Sequence, residues 1–100
     1  MLPTAAAVDP APIQAVVRSR LTEIERCYDR GKMDDPELKG RVTVRIHIGP
    51  RGTVSADEIE SSSLGNSIVE SCILDAVRAW KFPVPAGGKS AIISYPFNLR

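Results

Sequence analysis

Along the first third of the chain the apolar residues recur at three- and four-residue intervals: Ile13, Val16, Val17, Leu21, Ile24, Cys27 and Tyr28. That spacing sets them on one stripe of an α-helix. Arg18, Glu25 and Arg26 lie mostly off it. Asp9-Pro10-Ala11-Pro12 supplies the start, with Asp9 as the cap and Pro10 at the first helical position, where its missing donor costs nothing. Gly31 is expected as the C-cap, with Arg30 just before it meeting the negative end of the helix dipole. One continuous helix is therefore predicted, with Cys27 in its last turn on or beside the packed face.

A polar connection covers residues 32–38, and then the period changes to two. Val42, Val44, Ile46 and Ile48 alternate with Arg41, Thr43, Arg45 and His47, which predicts a strand with one face in the core and the other in water. Gly49-Pro50-Arg51-Gly52 reads as a tight turn, with Gly52 in the left-handed position of a bulged hairpin. From that turn Ile48 should face Val54, Ile46 should face Ala56, and Arg45 should face Asp57 on the outer side. One step further Val44 would meet Glu58, so a bulge near Asp57-Glu58 is expected to turn Ile59 inward.

A second helix follows, capped by Asn66 or Ser67, with Ile68, Val69, Cys72, Ile73, Ala76, Val77 and Trp80 on a wider apolar stripe. Trp80 and Phe82 read as core anchors. Pro83-Val84-Pro85-Ala86-Gly87-Gly88 ends the helix as irregular chain. Residues 90–99 form the last strand. Ala91, Ile93, Tyr95, Phe97 and Leu99 share its inner face, and Ile92, Ser94, Pro96 and Asn98 its outer face. Pro96 cannot donate to a ladder, which predicts an edge strand with the missing donor outward. A right-handed crossover then places this strand beside the first, giving sheet order 2-1-3, all antiparallel, with both helices on the inner face. The fold class expected is a two-layer α+β domain.

At 100 residues the chain is one domain. Residues 1–8 read as a disordered linker or the tail of an excised fragment, whether or not Met1 is native, and residues 9–100 as the domain. The start has no positive n-region or long apolar run, so it does not read as a signal peptide. No stretch approaches the roughly 18 apolar residues that span a bilayer, so direct membrane insertion is not expected. Thirteen Lys and Arg against twelve Asp and Glu leave a net charge of +1, which argues against nucleic acid or an anionic membrane as partner. Aromatic residues are 5%, and Tyr95 and Phe97 fall on the core side, so no base-stacking surface is expected.

Candidate chemistry is sparse. His47 is the single His, on the outer strand face beside Arg45 with no nucleophile or acid gathered in a pocket. No enzyme activity, cofactor or metal is expected. The two glycine-rich turns lack phosphate-loop spacing. Cys27 and Cys72 are too far apart for a Cys-x-x-Cys motif, and two readings stay open. They are buried free thiols, or one disulfide of an extracytoplasmic domain that removes about 4 kcal/mol of unfolded-state entropy. Arg41, Arg45 and His47 form a basic stripe, either a solubilising face balanced by Asp57 and Glu60 or a docking face. The open edge of the last strand is the leading binding candidate, because its backbone groups are available to another chain and Ile92, Ser94 and Asn98 add selectivity. Pro96 limits that pairing, which equally suits protection against aggregation.

The order of elements, Gly40-x-Val42-x-Val44, Gly49-Pro50-x-Gly52, Ser61-Ser62-Ser63-Leu64-Gly65 and Trp80-Lys81-Phe82-Pro83 together resemble the TonB C-terminal domain family. Cys27-Tyr28, Cys72 and Tyr95-Pro96-Phe97 resemble in particular its myxobacterial AgmX/PglI C-terminal branch, associated with gliding motility. The resemblance spans roughly residues 12–99. It implies a periplasmic domain of a protein anchored in the inner membrane, carrying force from a proton-driven motor to another envelope protein or outer-membrane component. The partner segment would be captured by strand addition at the last strand. The resemblance also implies a Cys27–Cys72 disulfide. The chain departs from iron-uptake members at Asp9-Pro10-Ala11-Pro12, where they carry Tyr-Pro, and at Arg51, where Asp or Asn is usual. A structural scaffold or homodimerisation module of the envelope, without force transmission, is the alternative.

Overall fold

The computed structural model describes residues 10–100. The readings of residues 1–8 as a tail and of Asp9 as a cap lie outside the described residues. The elements are α1 (Pro10–Ser19), α2 (Leu21–Asp34), β1 (Gly40–Ile48), β2 (Val54–Ser62), α3 (Ser67–Arg78), a short 3-10 turn (Ala86–Gly88) and β3 (Ala91–Leu99). The three strands form one antiparallel sheet in the order β2-β1-β3, as the sequence predicts. The helices lie on one face of it.

The core forms where the two periodicities meet. Val42, Val44, Ile46 and Ile48 of β1 are buried against Ile24, Cys27 and Tyr28 of α2 and Val69, Ile73 and Val77 of α3. Trp80 closes one end. Its ring packs edge-on to Phe97 at 6.5 Å and tilted to Phe82 at 6.3 Å. Its indole Nε1 donates to Glu23 Oε1 of α2 at 3.0 Å, which satisfies the polar atom of a buried ring. The Tyr28 hydroxyl donates to the Leu38 carbonyl and ties the end of α2 to the entrance of β1.

Three expectations about the helices are corrected. First, the single opening helix is two, because the chain breaks at Arg20 (φ −112°, ψ 5°). The Ser19 hydroxyl donates to the Val16 carbonyl at 2.7 Å, a local bond that bends helices. Second, Gly31 does not cap. The helix runs on to Asp34, and the Asp35 amide donates to the Gly31 carbonyl. Gly31 is there for space, since a Cβ would sit 2.4 Å from Val69 Cγ2 and 2.7 Å from Leu38 Cδ2. Third, Ile68 is exposed. Asn66 caps α3 by accepting from the Val69 amide at 3.0 Å, and that phase gives the buried stripe to Val69, Ile73 and Val77.

The hairpin turn forms as expected, with Gly52 at φ +84°. A Cβ on Gly52 would also fall 2.1 Å from the Phe82 carbonyl oxygen, so the turn is clamped to the chain leaving α3. Its carbonyl accepts from the Phe82 amide at 2.8 Å. Register then departs from expectation. Ile48 faces Val54, but His47 faces Ala56 and Ile46 faces Asp57, so the extra residue is Ser55. Ile59 does reach the position opposite Val44, through a bulge earlier than expected. Glu60 is extra in a second shift.

Candidate functional site

β3 pairs with β1 from Gly40–Leu99 to Ile48–Ala91 without a register shift. It is the terminal strand of the order β2-β1-β3, and among the described residues no strand lies on its second side. Among the described residues, no backbone hydrogen bond outside the ladder involves β3. β2, the other edge, is a different surface. Two shifts interrupt it, and Thr53 just before it bridges to Lys81. Bulges spoil an edge as a template, whereas a straight, regular edge invites another strand. Ile92, Ser94, Pro96 and Asn98 are all exposed, as expected of the outer face, and Pro96 stands opposite Thr43.

The structure joins the two candidate surfaces into one. Arg41 Nε donates to Asn98 Oδ1 at 2.9 Å, which links the basic stripe to β3. Arg45 sits between Glu58 (3.1 Å) and Glu60 (3.3 Å), and the Ser94 hydroxyl donates to Glu60 at 2.5 Å. His47 Nε2 is shielded from water and lies 3.4 Å from Glu58 Oε1. Glu58, not Asp57, faces Arg45, because the Ser55 bulge shifts the register by one. Ion pairs this exposed contribute only about 0–1 kcal/mol each. Their consequence is that Arg45 is not a free cation on this face.

Asp57 instead turns to the inner side, its side chain wholly enclosed. Oδ1 accepts from Arg78 Nε at 3.0 Å, while Oδ2 has no partner. Loss of water raises its pKa above the ordinary 3.8, a push that the Arg78 charge opposes but does not cancel.

Cys27 and Cys72 are bonded, with S–S 2.05 Å and Cα–Cα 5.6 Å, so of the two readings left open the disulfide is the one present. It fastens α2 to α3. Among the described residues no group of three or more His, Cys, Asp or Glu is placed to hold a metal ion. No described helix is long and apolar enough to cross a membrane.

The sequence reasoning missed a cleft of about 260 Å³ on the helix side of the free edge, lined by Leu21, Ile24 and Glu25 of α2 and by residues 95–99. By periodicity Leu21 is simply one residue of the apolar stripe. Its place as the first residue of a separate helix, next to β3, depends on the break at Arg20, which the periodicity does not reveal.

The class that these features define is a two-layer α+β domain with an open-edged antiparallel sheet. That fold is shared with the TonB C-terminal domain of Helicobacter pylori. Its solution structure over residues 194–285 matches at TM-score 0.50 and 17% identity, covering 80% of this chain and 91% of that one. A longer solution structure of the same domain, residues 179–285, covers 100% of this chain and 97% of that one at 19% identity and TM-score 0.47. At such identities the likeness is one of fold. No protein-family profile matches the sequence, and no curated protein matches it.

Proposed function

We propose that this domain is a non-enzymatic docking module of a bacterial cell envelope, which captures an extended segment of another protein as a fourth strand on the free edge of β3. The observation that carries this is the unbroken pairing of β3 on one side and, among the described residues, the absence of any strand on its other side. Backbone bonds along such an edge give affinity, and alternate side chains give selectivity. Side groups of like parity in a strand direct their amides to the same side. With the missing donor of Pro96 outward, the amides of Ile92, Ser94 and Asn98 are the ones offered to a partner.

The disulfide supports an oxidising compartment, and the fold likeness supports a periplasmic setting. Within that reading the domain belongs to a protein anchored in the inner membrane and passes force from a proton-driven motor to an outer-membrane or other envelope component. The AgmX/PglI-type pattern of Cys27-Tyr28, Cys72 and Tyr95-Pro96-Phe97 directs the proposal to gliding machinery rather than nutrient uptake.

The test is a pulldown from oxidised envelope extract with the wild-type domain and with Ser94→Pro. Removing an outward donor and adding a ring should cost most of the specific capture. The inner face is untouched by this change, so the fold should persist, as near-ultraviolet circular dichroism of Trp80 would report. Equal capture of the same proteins by both forms removes strand addition from the account.

A further inference from the structure

The vacant edge is flanked by two features that β3 backbone pairing alone does not require. On the helix side, Leu21 and Ile24 of α2 meet Tyr95, Pro96, Phe97 and Leu99 in the 260 Å³ cleft, with Glu25 at its rim. Leu21 is 37% exposed, a large apolar side chain left partly uncovered at the mouth of the cleft. At the far end of β3, Lys39 and Arg100 line an adjoining hollow with Gly40, Asn98 and Leu99. Asn98 and Leu99 border both, so the hollow adjoins the cleft at the carboxy-terminal end of β3. Among the described residues neither Lys39, Arg41 nor Arg100 pairs with a carboxylate, in contrast to Arg45, Arg20 and Arg78.

The geometry points to the chemistry of the occupant: an extended peptide segment with an aliphatic or aromatic residue on its helix-side face, seated in the Leu21–Ile24 cleft, and an acidic residue towards the Lys39–Arg100 end. This rests on the strand-addition reading and sharpens it. A fourth strand would present alternate side chains to the helix layer, close to Tyr95 and Phe97 on the same face. One such side chain projects where Leu21 is uncovered, and burying both apolar groups adds to the affinity that the edge hydrogen bonds provide. Its neighbours in sequence project to the outer face beside Ser94, where Glu60 and Arg45 already satisfy each other and a polar residue is sufficient. The unpaired cations then favour negative charge at one end of the segment, which fixes its direction along β3. A second copy of this chain fits this surface poorly, because its own last strand carries no Asp or Glu between Ala91 and Leu99.

The probe is a displayed library of nine-residue peptides selected on the oxidised wild-type domain, with one recovered peptide then titrated as a synthetic amide. The expected result is enrichment of Leu, Ile, Phe or Met at one position flanked by polar residues, with Asp or Glu confined to one end. Leu21→Glu should weaken the titrated peptide by about tenfold or more, since one buried apolar contact is lost. An acidic residue in the first turn of a helix is favourable, so this variant should still fold. Lys39→Glu, an exposed change, should weaken the same peptide and reverse the charge preference on reselection. Glu25→Lys, also exposed, serves as a second alteration of the cleft if Leu21→Glu does not fold. Peptides that lose binding on Ser94→Pro but ignore the cleft and Lys39 variants would overturn this inference and leave strand addition standing. Peptides indifferent to Ser94→Pro, or no enrichment at all, would overturn both.

Discussion

Gly31 shows what a single residue can hide. In the sequence it stands at the end of an apolar stripe and looks like a terminator. In the structure it lies inside α2 with Val69 and Leu38 pressed against its α-carbon. A string of letters does not distinguish a glycine needed for its backbone angle from one needed for its missing side chain. Gly31→Ala separates the two. Alanine improves helix propensity by about 1 kcal/mol, so a mere helix-interior glycine would gain stability on replacement. Overpacking against two core side chains should outweigh that gain, leaving a net loss of about 1–2 kcal/mol, read as a lower urea midpoint at unchanged slope. Asp57 is the second instance. Its enclosed carboxylate has one partner and one bare oxygen, and its pKa is raised by desolvation. The folded state therefore holds its proton more tightly than the unfolded chain. Stability linked to this group is greatest below the ordinary 3.8 and is lost as pH rises through the raised folded value. Asp57→Asn keeps an acceptor for Arg78 and removes the charge. Its stability relative to wild type should be higher at pH 7 than at pH 4, by urea titration at each pH. A difference that ran the other way would mean that the Arg78 attraction dominates.

At the scale of elements, what could be read and what could not divide along physical lines. β1 is legible to within a residue of its start, because strict alternation of Val42, Val44, Ile46 and Ile48 admits one orientation and its neighbours on both sides make that face the core. The sheet order followed from two rules, the right-handed crossover and the edge position of Pro96. α1 and α2 read as one helix because the break at Arg20 preserves the apolar stripe: Val17 and Leu21 remain four apart on either side of it. A hydroxyl that bends a helix leaves no periodic trace. In β2 the conflict of Val44 with Glu58 correctly signalled a bulge, yet the bulge sits at Ser55, next to the turn. The pattern says that a residue must be skipped, and which one is settled by side chains from elsewhere. Here Arg78 of α3 takes Asp57, and Glu58 is left to meet Arg45. The candidate site divides likewise. The free edge of β3 was visible from alternation and one proline, whereas the cleft beside it needs the separate placement of α2 and could not be.

At the scale of the whole molecule, the Cys27–Cys72 bond decides how the fold answers a pull on its ends. It joins α2 to α3 across a sequence separation of 45 residues, and the enclosed loop contains all of β1 and β2. α1, the part of α2 before Cys27, the part of α3 after Cys72 and β3 lie outside it. A load entering at the amino-terminal helices and leaving through a partner on β3 therefore has a covalent path from α2 to α3 that bypasses the hairpin. If the domain opens, β3 and the amino-terminal helices can be drawn out, but the loop between the two cysteines cannot. Stretching single molecules by their ends in the oxidised state should give an unfolding extension about 150 Å shorter than in the reduced state, from 45 residues at roughly 3.4 Å each. Chemical denaturation should show the equilibrium counterpart, a loss of about 2–4 kcal/mol on reduction. The two measurements have different origins, one the geometry of the closed loop and the other the entropy of the unfolded chain. An extension unaltered by reductant would mean that the hairpin is not covalently enclosed in the protein under load. A shortened extension with little change in stability would keep the enclosure and place the role of the bond in limiting how far the chain can be drawn out.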